Sequence, residues 1–405
     1  MHIMHTYNRL PVKFQKGKGD RLWDINNVEY IDAISGIGVT SLGHAHPVIA
    51  EEISAQASTL LHTSNFSVID WQSKLGQKLC ELSAMDNAFI CNSGCEANEV
   101  ALKIARTHGI KRGIEKPMVI VMDNAFHGRT FATNAASYNA SIGTGFEFEP
   151  HITGFIRVPF NDLLSIQQLA TERSDIVAIF VEPIQGEGGI RIFDPGYLLG
   201  LREVCNQQEW LLILDEIQTG IGRTGKWFAY QHEYIIPDVV TLAKALGNGI
   251  PIGACLAKGI AAKLLSPGAY GSTFGGNPLA CRVAYTVLDI IQSGGLIHRS
   301  ESLGAYMLKA LKSTFSNHSQ IKEIRGLGLM IGIELNHSAK ELMVEAIRYE
   351  RLFLNVTRDK TIRLLPSFVS SEATIDSIIK SLSRMMVAPS SGQNPQELRE
   401  FSLPA

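Results

Sequence analysis

Six short apolar runs punctuate the middle of the chain: "AFICNSG" from Ala88, "MVIVMDNAFHG" from Met118, "IVAIFVEPIQG" from Ile176, "LLILDEIQTG" from Leu211, "DVVTLAKALG" from Asp238 and "IGACLAKG" from Ile252. Each ends in polar or glycine residues, and helical patterns follow. Unbroken apolar runs alternating with helices predict a mainly parallel sheet covered on both faces, an α/β fold. The runs lie between about Phe89 and Ala257 and predict the larger domain.

The flanks read differently. "DRLWDINNVEYIDAISG" predicts two short strands joined at Asn26 and Asn27, because asparagine tolerates the left-handed backbone of a tight turn. From Val283 a long helical stretch leads to the glycine-broken strand pattern "IKEIRGLGLMIGIEL", then a helix near "SAKELMVEAIRYERL" and the short strand "TIRLLPSF". These pieces predict a smaller α+β domain. The expected division is 1–50 as an N-terminal segment joining the small domain, 51–285 as the large domain and 286–388 as the C-terminal small domain. Residues 389–405 are polar and proline-punctuated and predict a flexible tail. A chain of 405 residues exceeds what one core usually serves, which agrees with two domains.

Composition removes several function classes. A net charge of -2 gives no reason to expect nucleic acid or an anionic membrane surface as partner. The six cysteines are scattered without C-x-x-C spacing, so reduced thiols in a cytoplasmic protein are expected, and no metal site. The N-terminus has no apolar signal core, and no apolar run is long enough to span a bilayer.

Two phosphate fingerprints overlap in "LLILDEIQTGIGRTGKW". Gly220, Gly222 and Gly225 fit G-x-G-x-x-G, while Gly220, Gly225 and Lys226 fit most of a P-loop. The P-loop needs Ser or Thr after its lysine, and Trp227 stands there. The dinucleotide pattern needs a helix at the loop and an acid after the next strand, ~20 residues on; neither is present. The glycines are therefore expected to form a turn-rich loop near an active-site mouth, with Lys226 on the surface. Asp215 keeps its interest, since it ends a buried strand where α/β sheets place ligands.

"AFICNSGCEANE" makes a better phosphate site. A strand turns through Ser93 and Gly94 into a helix, and Ser93 with Glu96 has capping-box spacing. Glycine beside free helix-start N–H groups suits a phosphate. A plain capped helix explains the same residues equally well. Lys244 also follows an apolar strand, where a lysine is costly to desolvate unless paired or used covalently. A buried carboxylate and a lysine facing one pocket are what pyridoxal phosphate requires.

With those residues in view, the chain resembles the class III pyridoxal-phosphate aminotransferases of fold type I, from about Pro11 to about Met386. The motifs "LGHAHP", "NSGCEANE", "FHGRT", "VEPIQGEGG", "DEIQTGIGRTGK", "TLAKALGNGIPIGA" and "GSTFGGNPLA" carry the likeness together and in order. Within the class, the acetylornithine and succinylornithine branch is most similar. The resemblance implies a large domain with a seven-stranded-type sheet, pyridoxal 5′-phosphate as cofactor and a homodimer with shared active sites. Lys244 resembles the Schiff-base lysine and proton shuttle, Asp215 the partner of the ring nitrogen and Gln218 the neighbour of the ring hydroxyl. Ser93, Gly94 and Cys95 match the phosphate cradle, and Phe126 matches the ring stacked on the cofactor. Glu216 and Ile217 fall in the same cofactor-binding stretch. Thr273 resembles a phosphate ligand from the second subunit, and Ser272 an accessory substrate contact from there.

Arg129 resembles the binder of the substrate α-carboxylate and Arg363 the binder of the glutamate or 2-oxoglutarate carboxylate. Arginine suits both because its fork meets a carboxylate bidentately. Glu182 resembles the acid that pairs with Arg363 and releases it for glutamate. Ile37 stands where ornithine aminotransferases carry a tyrosine for the free α-amine, which points to an acylated amine. The implied reaction moves the δ-amino group of N2-acetyl-L-ornithine to 2-oxoglutarate in arginine biosynthesis. Succinylornithine, in arginine breakdown, and 4-aminobutyrate are the alternative donors.

Overall fold

The computed structural model describes residues 2–137 and 153–387, so the expected tail at 389–405 lies outside the described residues. Its centre is a seven-stranded sheet. Across the sheet the strands run Asn87–Cys91, Gly253–Ala257, Val239–Leu242, Leu211–Asp215, Ile176–Val181, Met118–Met122 and Phe155–Val158. Six of these are five of the six apolar runs plus the unforeseen Phe155–Val158, and they point the same way. Gly253–Ala257 is antiparallel to both neighbours. The run "IGACLAKG" therefore holds a strand of the opposite sense, which its uniform apolarity did not reveal.

Burial explains the runs. Ile176–Val181, Leu211–Asp215 and Val239–Leu242 are buried at every position, as central strands covered on both faces must be. One face packs on the helix Gly94–Lys111, which crosses several strands. The other joins a larger core that continues into the C-terminal part of the chain.

Two smaller sheets flank this one. Phe14–Lys18, Arg21–Asp24 and Glu29–Asp32 form an antiparallel set, turned at Asn27 with φ +59°. Asp24 fixes that turn by accepting from the Asn26 and Val28 N–H groups at 2.8 and 2.9 Å. Leu352–Phe353 then pairs with Glu29–Asp32, which ties the N-terminal segment to the C-terminal part. The second sheet runs Ile321–Leu327, Met330–Leu335, Thr361–Leu364 and Asn355–Thr357, all antiparallel. The helix Leu296–Thr314 covers it and packs on Glu372–Val387.

The glycine-rich loop after Asp215 is a buried junction instead of a turn at an open mouth. Arg223 is completely buried and donates to Leu329 O, Pro366 O and Ser41 Oγ at 3.1, 2.6 and 2.7 Å. Its guanidinium also lies 4.8 Å from the Phe368 ring centre. Gly225 has φ +89°, and a Cβ there would stand 2.8 Å from Glu301 Cβ. The glycines thus serve close packing of the two halves. Lys226 is exposed, as expected.

Candidate active site

A cavity of about 450 Å³ opens where the same-sense strands end. Its walls include Ser93, Gly94, Cys95, Phe126, Arg129, Glu182, Asp215, Ile217, Gln218 and Lys244. Those ten residues follow five different strand ends, the position at which an α/β sheet gathers ligand groups.

At one end stands the start of the helix Gly94–Lys111. Ser93 Oγ accepts from Glu96 N at 3.2 Å. The Glu96 carboxylate reaches back past the cap to Asn92 N at 2.6 Å, so the expected box is shifted by one residue. The Gly94 and Cys95 N–H groups have no acceptor within the helix by its geometry. A Cβ on Gly94 would stand 2.6 Å from Ile217 Cδ1, so only glycine keeps this end open. Cys95 adds a thiol. Burial opposes its ionisation, but Thr133, Thr130 and the backbone at Arg129 and Thr130 hold its pKa below the usual value.

Across the cavity, Asp215 is fixed by three donors. His127 Nδ1 and Asn98 Nδ2 each reach Oδ2 at 2.8 Å, and Ile217 N reaches Oδ1 at 3.1 Å. His127 stacks on Phe180 with ring centres 3.9 Å apart. His127 and Asn98 went unassigned in the sequence although both lie inside the quoted motifs. The helical spacing of Asn98 from Gly94 was the available signal, since i and i+4 share a face.

Lys244 is half-buried two residues beyond Val239–Leu242 and adopts φ +43°, a strained backbone for lysine. Burial lowers its pKa to about 8, against the pull of Glu187, Asp215 and Glu182. Phe126 is held from behind by Glu182. Glu182 Oε1 accepts from Phe126 N at 2.9 Å and Oε2 from Gly186 N at 3.0 Å. Burial, with Asp215 nearby, raises the Glu182 pKa.

The pairing expected of Glu182 falls instead to Glu187. Arg363 is buried and its Nη1 donates to Glu187 Oε1 at 2.7 Å. Glu182 ends its strand facing Phe126 and has spent both oxygens on backbone donors. The turn through Gly186 carries the chain to the second sheet, where Glu187 meets Arg363. Arg363 also donates to Gln218 Oε1 at 3.3 Å and twice to Asn355 Oδ1.

Two other assignments shift. Glu216 faces away from the cavity. Its carboxylate takes the Thr219 hydroxyl and Tyr230 N, the latter at 3.0 Å, because neighbours on extended backbone point to opposite sides. Ile37 is absent from the cavity wall and packs beside Ile34, Ile190 and Leu365. It lies in a left-handed turn from Ser35 to Gly38, with φ between +48° and +75°, whose entry Asp32 caps. Ser272 and Thr273 line a separate surface cavity, and Ser272 Oγ accepts from Asn92 Nδ2 at 3.0 Å. Arg129 is exposed, 5.5 Å from the Phe126 ring centre.

Lys244, Asp215, Arg129 and a helix start thus line one cavity, and the buried Arg363 reaches its wall through Gln218. The aminotransferase class-III family model matches residues 3–386, and the chain belongs to that family, whose members depend on pyridoxal phosphate. An acetylornithine aminotransferase of Nitrosomonas europaea is 48% identical over 95% of this chain and 97% of its own length. One from Methanocaldococcus jannaschii is 43% identical over 94% of each. Among solved structures, the acetylornithine aminotransferase of Elizabethkingia anophelis is similar with a TM-score of 0.85 at 34% identity, covering 95% of this chain and 96% of its own. The ornithine aminotransferase of Toxoplasma gondii gives 0.91 at 33% identity over 95% and 92%. No helix among the described residues is long and apolar enough to cross a membrane.

Proposed function

We propose that the chain is an N2-acetyl-L-ornithine:2-oxoglutarate aminotransferase that binds pyridoxal 5′-phosphate in the cavity beside Lys244. The observation that carries this reading is the buried Arg363–Glu187 pair, together with a second, exposed arginine, Arg129, on the wall of the cavity that holds Lys244. Two carboxylate binders flanking one lysine fit a reaction with two differently shaped donors.

The residues present suit the cofactor. The Gly94 and Cys95 N–H groups would take its phosphate, Asp215 would meet its ring nitrogen, Gln218 would stand by its hydroxyl, and Phe126 and Ile217 would enclose the ring. When bound, the group supplies a carbonyl that accepts the amine and a ring that draws electrons from the reacting carbon. Lys244 Nζ would take the proton from the substrate carbon and return it on the cofactor side. A pKa of about 8 keeps part of that amine neutral near pH 7, as a base requires. Arg129 would hold the α-carboxylate of acetylornithine while Glu187 keeps Arg363 neutralised. Glutamate or 2-oxoglutarate would displace Glu187 and bind Arg363.

Ser272 and Thr273 would act across a homodimer, and the protein would work in the cytoplasm. The divisions 1–50, 51–285 and 286–388 remain our domain assignment.

The test follows the visible absorbance of bound cofactor during single half-reactions. Acetylornithine should react fastest, with ornithine and 4-aminobutyrate far slower. Equal rates for all the amines would refute the substrate reading. Faster reaction with succinylornithine would move it to the second donor.

A further inference from the structure

We infer that Asn355 is a positioning residue that selects which edge of the Arg363 guanidinium receives the dicarboxylate. The inference rests on Arg363 binding glutamate and 2-oxoglutarate, as proposed above.

A guanidinium has five N–H donors and two edges able to grip a carboxylate. Asn355 Oδ1 accepts from Nε at 3.0 Å and from Nη2 at 2.7 Å, which occupies the Nε edge. Nη1 spends its donors on Glu187 and Gln218. One Nη2 hydrogen is left over. When Glu187 leaves, Nη1 regains a donor beside it. A carboxylate displacing Glu187 then meets the Nη1/Nη2 edge and no other.

Backbone register fixes this arrangement. Asn355 pairs directly opposite Arg363 on adjacent antiparallel strands. Thr357, two residues on, donates its hydroxyl to Glu187 O at 2.6 Å and lies 3.4 Å from Glu187 Oε2. The short strand Asn355–Thr357 therefore holds both the fork and the segment carrying the acid that covers it. The chemistry of the pin also matters. An amide oxygen orients the guanidinium without cancelling its charge, so the charge stays available to the incoming dicarboxylate. An aspartate would keep the geometry and neutralise the cation permanently.

Two variants test this in the holoenzyme: Asn355→Ala removes the pin, and Asn355→Asp keeps it while adding charge. Thermal unfolding and the cofactor absorbance check folding. Stopped-flow half-reactions with glutamate and with acetylornithine are compared, and glutarate binding is measured by calorimetry. Asn355→Ala should raise KM for glutamate and Kd for glutarate about 10-fold, as expected for a lost charged hydrogen-bond partner. Its kcat with glutamate and its acetylornithine half-reaction should change less than about twofold. Asn355→Asp should fold and weaken glutarate more than Asn355→Ala does. Unchanged glutamate KM and glutarate Kd in both variants overturns the inference, provided Arg363→Ala does raise them. If Arg363→Ala also leaves them unchanged, the reading of Arg363 itself fails. Equal loss in both half-reactions would mark Asn355 as merely structural and would likewise overturn it.

Discussion

His127 Nδ1 lies 2.8 Å from Asp215 Oδ2, and the imidazole is clamped in that direction by its stack on Phe180. The opposite nitrogen, Nε2, is buried without a hydrogen-bond partner, so the ring's hydrogen bonding is directed at the carboxylate alone. Asn98 delivers a second donor to the same oxygen at 2.8 Å. Asp215 thus keeps acceptor capacity on Oδ1 for a ligand in the cavity.

Replacing His127 by leucine should loosen the cofactor by roughly 10- to 100-fold, the effect of losing a buried bond to a charged group. Pyridoxal phosphate titration of apoprotein, read by absorbance, measures this. Asn, which restores a donor, should recover part of the loss. Unaltered affinity in the leucine variant would show that Asn98 alone orients Asp215.

Much of this frame was legible in the sequence because burial on both faces forces unbroken apolar strands, and strand ends then locate Asp215 and Lys244. What was not legible depends on facing. Glu182, Glu187 and Glu216 are all acids beside strand ends, yet one props Phe126, one covers Arg363 and one turns away. A shift of one residue on extended backbone reverses a side chain, and motif order does not encode which turn carries an acid across to another sheet. The antiparallel sense of Gly253–Ala257 was hidden for a similar reason, since strand direction leaves no mark on a fully buried run.

Gly94 and Ile217 test the phosphate end. A methyl on Gly94 would stand 2.6 Å from Ile217 Cδ1 and 3.1 Å from its Cγ2, so the whole side chain must move. Gly94→Ala should weaken cofactor binding about 10-fold, since small displacements in a preorganised site cost that much or more. Adding Ile217→Ala should restore a good part of it. Residues in contact are expected to couple in such a double-mutant cycle. Strict additivity of the two changes would rule out the steric account.

Glu216 gives a pH signature outside the cavity. Burial raises its pKa from 4.5 to about 7. Between those values the folded protein keeps a proton that the unfolded chain releases, so stability falls as pH rises across the window. Glu216→Gln mimics the protonated form and can still serve Tyr230 N and Thr219. The Tm of the wild type relative to this variant should therefore drop between pH 5 and about 7.5. A constant difference across that range would mean that Glu216 titrates normally.

Lys244 sets function against stability in the cofactor-free protein. Its pKa falls from 10.5 to about 8 because burial penalises the ammonium more than Glu187, Asp215 and Glu182 favour it. Below pH 8 both folded and unfolded chains carry the proton, and the folded protein bears the full penalty. Between about 8 and 10.5 the unfolded chain binds more protons, so stability rises with pH and the penalty fades. Lys244→Met removes the charge and retains most of the side-chain volume. The apoprotein of this variant should unfold at higher temperature than wild-type apoprotein at pH 7, with the gain shrinking toward pH 10. Calorimetry of the two apoproteins at both pH values decides the matter. A lower Tm for the methionine variant at pH 7 would mean that the three acids make the ammonium a net stabiliser. The expected sign instead makes Lys244 a residue kept for chemistry at a cost to the fold, the pattern of active sites that trade stability for activity.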